Sequence, residues 1–473
     1  MATVKALKQS MFDEFEIKGY WWVPGSEKQV PGILFYCKEK IRLELLGSFN
    51  EIENALENKD NYKDIILGVS DKGEEFTLIS AYNQKYTFNI PGYPTETYII
   101  EAFIVGGHFN SREEIHFHSV TITLTYLTKW LQKAPFKQEF IHQEKVLKEA
   151  RVKFIPPSKI FEMVVPSIKS TIREEYNTNF SGNLNEVKWT FESRIKVIPD
   201  DWQTLEWFRD KLFWLRNLFA LFIGYPTYFE KIIFYGEENR EKYSWFFCQK
   251  RATIREKIGD FVIRFNEIET SLSTIIDSWF AKRDIIETMC ELYINNFYFD
   301  IYLEANFLNY VQAIEIYHRR VHDGKIIDEK AYEEYANKVN QFIKDNLPNI
   351  LHERLQRLIH HGNEYSLNKR FKEIFESLSS DTKELLCLEN GKQRKKFIKQ
   401  VVEKRNTLVH GDKEGKKCDL DNIEKLYYAS ERLKVLITIL LFKEIGIDEK
   451  IIVKGIKNNR RLLYSLIKSK EIL

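Results

Sequence analysis

Arg405, Asn406 and His410 fall together in the stretch "EKRNTLVHGDKEGKK", residues 403–417. An arginine can clamp phosphate oxygens with its planar fork. A histidine can take and return protons near neutrality, and an asparagine can donate to phosphate or orient either partner. These three residue types meet the needs of one reaction. RNA carries its own nucleophile, the 2′-hydroxyl. Cleavage then calls for a base for that hydroxyl, charge stabilisation at the phosphorane and an acid for the leaving 5′-oxygen. No metal or other cofactor is required. Spacing alone recurs by chance, as in Arg112 with His118 or Arg354 with His360 and His361. The asparagine after the arginine, the apolar Leu408–Val409 pair and the terminal Gly411 distinguish Arg405–His410.

The element that positions them reads as one helix, "KQRKKFIKQVVEKRNTLVHG". Phe397, Val401 and Leu408 form its apolar stripe, while Lys395, Lys396, Lys399 and Lys404 are expected to be solvated. Those lysines are either a wetted helix face or a grip on a phosphate backbone. Gly411 suits the left-handed position that ends a helix. His410 would then lie in the last turn, where the carbonyl end of the helix dipole favours a cation.

The rest of the chain must support that helix. Its 473 residues are too many for one core, with 44% hydrophobic and 14% aromatic residues. Net charge is only +2, but residues 391–417 hold ten Lys or Arg against three Asp or Glu, and residues 450–473 hold seven against one. Positive charge is thus concentrated near the C-terminus, where a polyanion could bind. Five scattered cysteines without a CxxC point to free thiols in a reducing compartment. The N-terminus lacks an apolar signal region, and "WFRDKLFWLRNLFALFIGY" carries four charges, so it is expected to be a buried helix and not a membrane span. A cytoplasmic protein is expected, with no membrane partner.

Up to about residue 200 the apolar period is two, as in "KIRLELLG" and "TYIIEAFIV", which predicts an antiparallel sandwich or a related β-rich domain. From Thr204 the period becomes helical, with Asp200 and Asp201 able to cap the first helix and Gly224 and Pro226 ending it. "KIIFYG" and "YSWFFC" follow as short apolar runs. Helices are then expected over 251–281, 284–322, 329–346, 349–378, 392–410 and 421–445. The fold class is α+β multidomain: a β-rich domain over 1–280 that ends in helical segments, then an all-α bundle over 281–473.

"RNTLVHG" resembles the Arg-Asn-x-x-x-His signature of HEPN domains, a family of helical-bundle, metal-independent ribonucleases. "NFLNYVQAIEIYHRR" resembles the first core helix of the ApeA-like HEPN branch, and Glu315 matches a polar position that lies beside the motif in that family. "GYWWVPGSEKQVPGILFY" and "RLELLGSF" resemble the ApeA N-terminal domain. The resemblance implies an anti-phage protein acting by abortive infection. Its HEPN domain would cut RNA, with tRNA the target the wider family suggests, leaving a cyclic phosphate. It would work as a homodimer whose two motifs share a composite site, while the N-terminal domain answers a phage-derived protein trigger. Arg405, Asn406, His410 and Glu315 would form the catalytic set, with Lys395, Lys396, Lys399 and Lys404 on the RNA.

A different reading makes the bundle a non-catalytic dimerisation or binding module attached to a β-rich domain that recognises protein or glycan. Loss of His410 would then leave every phenotype intact. His116 and His118 share a strand face as metal ligands can, but no third ligand is near, so they read as structural. Tyr317 and His318 lie close to Glu315 in sequence and are weaker site candidates.

Overall fold

Alternating apolar residues produce sixteen strands among the described residues. The computed structural model describes the chain except residues 1–4, 50–60, 89–90, 134, 144, 158–160, 238–240, 250–258 and 412–417. The first six strands are β1 (Phe15–Trp22), β2 (Val30–Tyr36), β3 (Ile41–Leu45), β4 (Tyr62–Ser70), β5 (Glu75–Thr87) and β6 (Thr95–Val105). They pair antiparallel in the cycle β6–β3–β2–β1–β4–β5–β6, which closes a ring. Ring closure removes the unpaired edges that an open sheet would expose. Ile17, Trp21, Leu34, Ile41, Leu43, Phe76 and Leu78 are buried in it. Gly68 on β4 makes room for Trp21: a Cβ there would sit 2.2 Å from the indole ring.

The long β6 joins the ring to the rest of one twelve-stranded sheet. Its first half pairs with β3, Ile41 opposite Ile100, and its last residues pair with β16 (Lys242–Phe247), Phe247 opposite Ala102. Beyond β16 the order runs through β15 (Phe229–Tyr235), β8 (Ser119–Leu124), β13 (Val187–Pro199) and β12 (Ser170–Gly182) to β11 (Glu162–Val165). The helix Leu205–Ile223 packs here, with Phe208 edge-on to Phe234 and Phe222 stacked on Trp130. Its cap differs from expectation. Thr204 accepts from the Trp207 amide at 3.2 Å, because β14 (Gln203–Thr204) pairs with β7 (His116–Phe117) and leaves Thr204 extended at the helix start. Asp200 and Asp201 lie earlier, in the bend after β13.

The chain divides into two units, Met1–Asp277 and Ser278–Leu473. The second is helical and is built around Ile423–Glu444, buried on nearly every side at Leu433, Val435, Leu436, Ile437, Ile439 and Leu441. Glu329–Asn346, Gly391–His410 and Ile423–Glu444 fall close to the expected ranges. Three expected helices are shorter or broken. The stretch 251–281 yields Phe265–Ile268 and Leu272–Ala281, and residues 251–258 lie outside the described residues. The stretch 284–322 divides into Arg283–Tyr298 and Leu303–Val321. The stretch 349–378 divides into Asn349–His360 and Leu367–Ser377, where buried Asn363 accepts from the amides of Ile326 and Ile327 and donates to the Ile327 carbonyl at 3.0 Å. Those bonds to another segment hold residues 361–366 out of a helix, and Ser366 caps the next one.

Gly68→Ala should destabilise the first unit by about 1–3 kcal/mol, the usual cost of overpacking. The midpoint of its denaturant-induced unfolding reads this directly. An unchanged midpoint would mean that Trp21 yields without cost.

Candidate active site

The motif helix Gly391–His410 begins where the Asn390 side chain accepts from the Lys392 amide at 2.8 Å. Phe397, Ile398 and Val401 bury its inner face, and the Arg432 guanidinium lies 4.9 Å from the Phe397 ring centre. It ends as expected: Gly411 has φ +68°, and its amide donates to the Thr407 carbonyl at 3.0 Å. Arg405 is half-buried, and Asn406 and His410 are exposed. Arg405 Nη1 donates to Asn406 Oδ1 at 3.2 Å, and Arg405 Nη2 lies 3.9 Å from Glu315 Oε2. The structure therefore brings Arg405, Asn406 and Glu315 together. It does not bring His410 to them. At about 100° per residue, His410 sits about 140° round the helix from Arg405 and about 7.5 Å further along it.

Glu315 belongs to the helix Leu303–Val321. One turn on, Arg319 grips the same carboxylate through Nε at 3.3 Å and Nη2 at 3.2 Å. Arg319 Nη1 then donates to Glu364 Oε2 at 2.6 Å, and Glu364 also meets His361 Nδ1 at 3.1 Å. Hydrogen bonds from His361 and Arg319 hold the Glu364 carboxyl below the usual range. Behind this surface lies Arg370, only 2% exposed. It donates to the Tyr365 carbonyl and to His318 Nδ1, each at 3.1 Å. A guanidinium only donates, so His318 Nδ1 must accept and Nε2 must carry the hydrogen, which it donates to Glu373 at 3.0 Å. Burial lowers the proton affinity of His318, so it is a neutral structural group at neutral pH. Tyr317 is spent on packing as well, its hydroxyl donating to Glu444 at 2.9 Å.

Lys395, Lys396 and Lys399 are exposed as expected, and Lys404 is not. Lys404 is buried, with Nζ 2.9 Å from Asp421 Oδ1. Its place on the inner side of the helix, against the turn Asp419–Asp421, keeps it from solvent. Lys396 donates to the Leu473 carbonyl at 3.1 Å, and Lys399 lies 3.7 Å from Glu403. Lys395 is exposed. Seen down the helix, Lys395, Lys399 and Lys404 stand about 80–120° from Arg405, and Lys396 about 180° away.

The chain matches the family model "ApeA N-terminal domain 1" over residues 16–279, more than half its length. It matches "Apea-like HEPN" over residues 308–451, a span that contains Glu315 and the whole motif helix. It belongs to the ApeA family. No curated protein and no solved structure matches the chain. This ApeA-type protein thus carries a HEPN domain of the defence nuclease kind. Among its described residues no helix is long and apolar enough to cross a membrane, and no group of three or more His, Cys, Asp or Glu could hold a metal ion. Reading the sequence missed Arg319, Glu364 and His361 as neighbours of the motif. Arg319 had a signal, standing four residues after Glu315 on one helix face. Glu364 had none, because a turn and not a helix delivers it.

The stability of the helical unit should fall as pH drops through about 6.5, the ordinary histidine value. There the unfolded chain binds a proton that folded His318 resists, and stability declines wherever the unfolded state binds more protons. Thermal melts from about pH 7.5 to about 5.5 should show the decline, and His318→Gln should flatten it. Equal slopes in both proteins would remove His318 as the cause.

Proposed function

We propose that the chain is a metal-independent endoribonuclease of the ApeA-like HEPN type, acting in the cytoplasm in anti-phage defence by abortive infection. The observation that carries this is the Arg405 guanidinium, set beside the Glu315 carboxylate at 3.9 Å across two helices of the segment that matches the HEPN model. An arginine so fixed keeps donors free for phosphate oxygens. The 2′-hydroxyl of the substrate attacks its own phosphorus, forming the P–O2′ bond as the P–O5′ bond breaks. His410 handles the proton transfers, Arg405 stabilises the phosphorane charge, Asn406 orients Arg405, and Glu315 fixes its position. The products are a 2′,3′-cyclic phosphate and a 5′-hydroxyl. His410 stands away from Arg405 within one chain, so the working site is a homodimer in which one copy's His410 meets the other's Arg405. RNA, with tRNA the first target to try, is the substrate. The N-terminal unit restrains the nuclease until a phage-derived protein trigger is sensed.

The test is RNA cleavage in EDTA by purified protein, alone and with extract of phage-infected cells to supply the trigger, wild type beside His410→Ala, with analysis of the product ends. Loss of at least about a hundred-fold in rate on His410→Ala, with cyclic phosphate in the wild-type products, is expected. Replacing the target 2′-hydroxyl by hydrogen should abolish cleavage. Undiminished cutting of the deoxy-substituted RNA would overturn the mechanism.

A further inference from the structure

The side chains beyond Glu315 take no part in the chemistry above, yet they form a continuous surface leading away from Arg405. Arg319 and His361 are 46% and 68% exposed along their side chains and are joined through Glu364. His361 in turn lines an open cavity of about 490 Å3 with Ile350, Glu353, Arg354, Arg357 and Leu358. Arg354 and Arg357 are exposed there, Arg357 held by Glu353 at 2.6 Å. Ile350 and Leu358 stand 87% and 63% exposed beside them.

The acids on this strip do not cancel its use. Glu315 already serves Arg405 and Arg319, Glu364 serves Arg319 and His361, and Glu353 serves Arg357 through one of its five N–H donors. Arg319 spends three of its five N–H donors on them and keeps two. Of the motif-helix lysines, Lys404 is buried against Asp421 and Lys396 is tied to the Leu473 carbonyl, while Lys395 and Lys399 stand about 80° and 120° round the helix from Arg405, on the side of His410.

We propose that this strip is the path of the RNA strand. Arg319 holds the phosphate next to the scissile one. Arg354 and Arg357 hold the backbone further on, and an unstacked base lies against Ile350 and Leu358. Single strands are bound by cations for the backbone together with planar groups on which bases stack, and an arginine guanidinium serves in both ways. The proposal rests on the ribonuclease reading of Arg405 and His410.

It is tested by binding a fluorescent single-stranded RNA to full-length His410→Ala protein, which retains its RNA uncut. In that background, Arg354→Ala with Arg357→Ala should weaken binding about ten-fold and flatten its salt dependence. Both positions are exposed, so the fold survives the change. Arg319→Ala should weaken binding similarly and Arg319→Lys should recover part of it. Lys395→Ala with Lys399→Ala should change it less than about two-fold. Equal binding by the arginine variants, or a larger loss from the lysine pair, overturns the path. Competition by free mononucleotide at stoichiometric levels also overturns it, in favour of a nucleotide pocket. If His410-dependent cleavage occurs without dependence on the strip, the path fails and the nuclease reading stands. If the strip governs RNA binding but wild type cuts nothing even with extract of phage-infected cells, the strip stands as an RNA-binding surface and the nuclease reading fails.

Discussion

A guanidinium with 2% exposure is costly unless its donors find acceptors, and Arg370 finds them on two other segments. It reaches the Tyr365 carbonyl and His318 Nδ1, with Glu364 3.8 Å away. Each contact fixes something else. His318 is locked into one tautomer and tied to Glu373. Glu364 is held at the surface, where it receives Arg319. Arg319 shares Glu315 with Arg405. A buried charge four steps away thus constrains the rotamer of the arginine on the motif helix. Such a network is costly to break at one point, because removing a partner leaves another buried group unsatisfied.

Most of the site was legible locally, and what was not depended on long-range partners. The stripe of Phe397 and Val401 and the terminal Gly411 marked the motif helix almost to the residue. Glu315 was placed by resemblance, and its carboxylate does lie by Arg405. Lys404 was misread although its spacing carries the azimuth: it stands seven residues after Phe397 and three after Val401, on the buried stripe, and turns inward to Asp421. The break at 361–366 depends on Asn363 bonding to Ile326 and Ile327, which no local pattern displays. The break at 299–302 contains neither glycine nor proline. Ring closure was equally hidden, since period-two alternation gives strands without saying which pair.

The N-terminal unit handles buried acid by another route. Glu74 accepts from the amides of Ala6 at 2.9 Å and Leu7 at 3.2 Å. Glu96 accepts from the Ser48 hydroxyl at 2.7 Å, the Phe49 amide at 3.1 Å and the Tyr98 hydroxyl at 3.2 Å. Both carboxylates, buried to within a tenth of full coverage, bind chain segments that run outside the strands. Irregular backbone is thereby pinned to the ring without a disulfide, and all five cysteines are free.

The divided pairing of β6 has a consequence for synthesis. Residues 15–105 hold every strand of the ring, so the ring can close soon after they leave the ribosome. The last residues of β6, Ala102–Val105, still lack their partner on one side until Lys242–Phe247 arrives. For the time needed to make more than a hundred further residues, a nascent chain carries a finished ring with a raw apolar edge at Phe103 and Ile104. Such an edge is sticky, so the nascent chain is most exposed to mispairing or to chaperone capture during that interval.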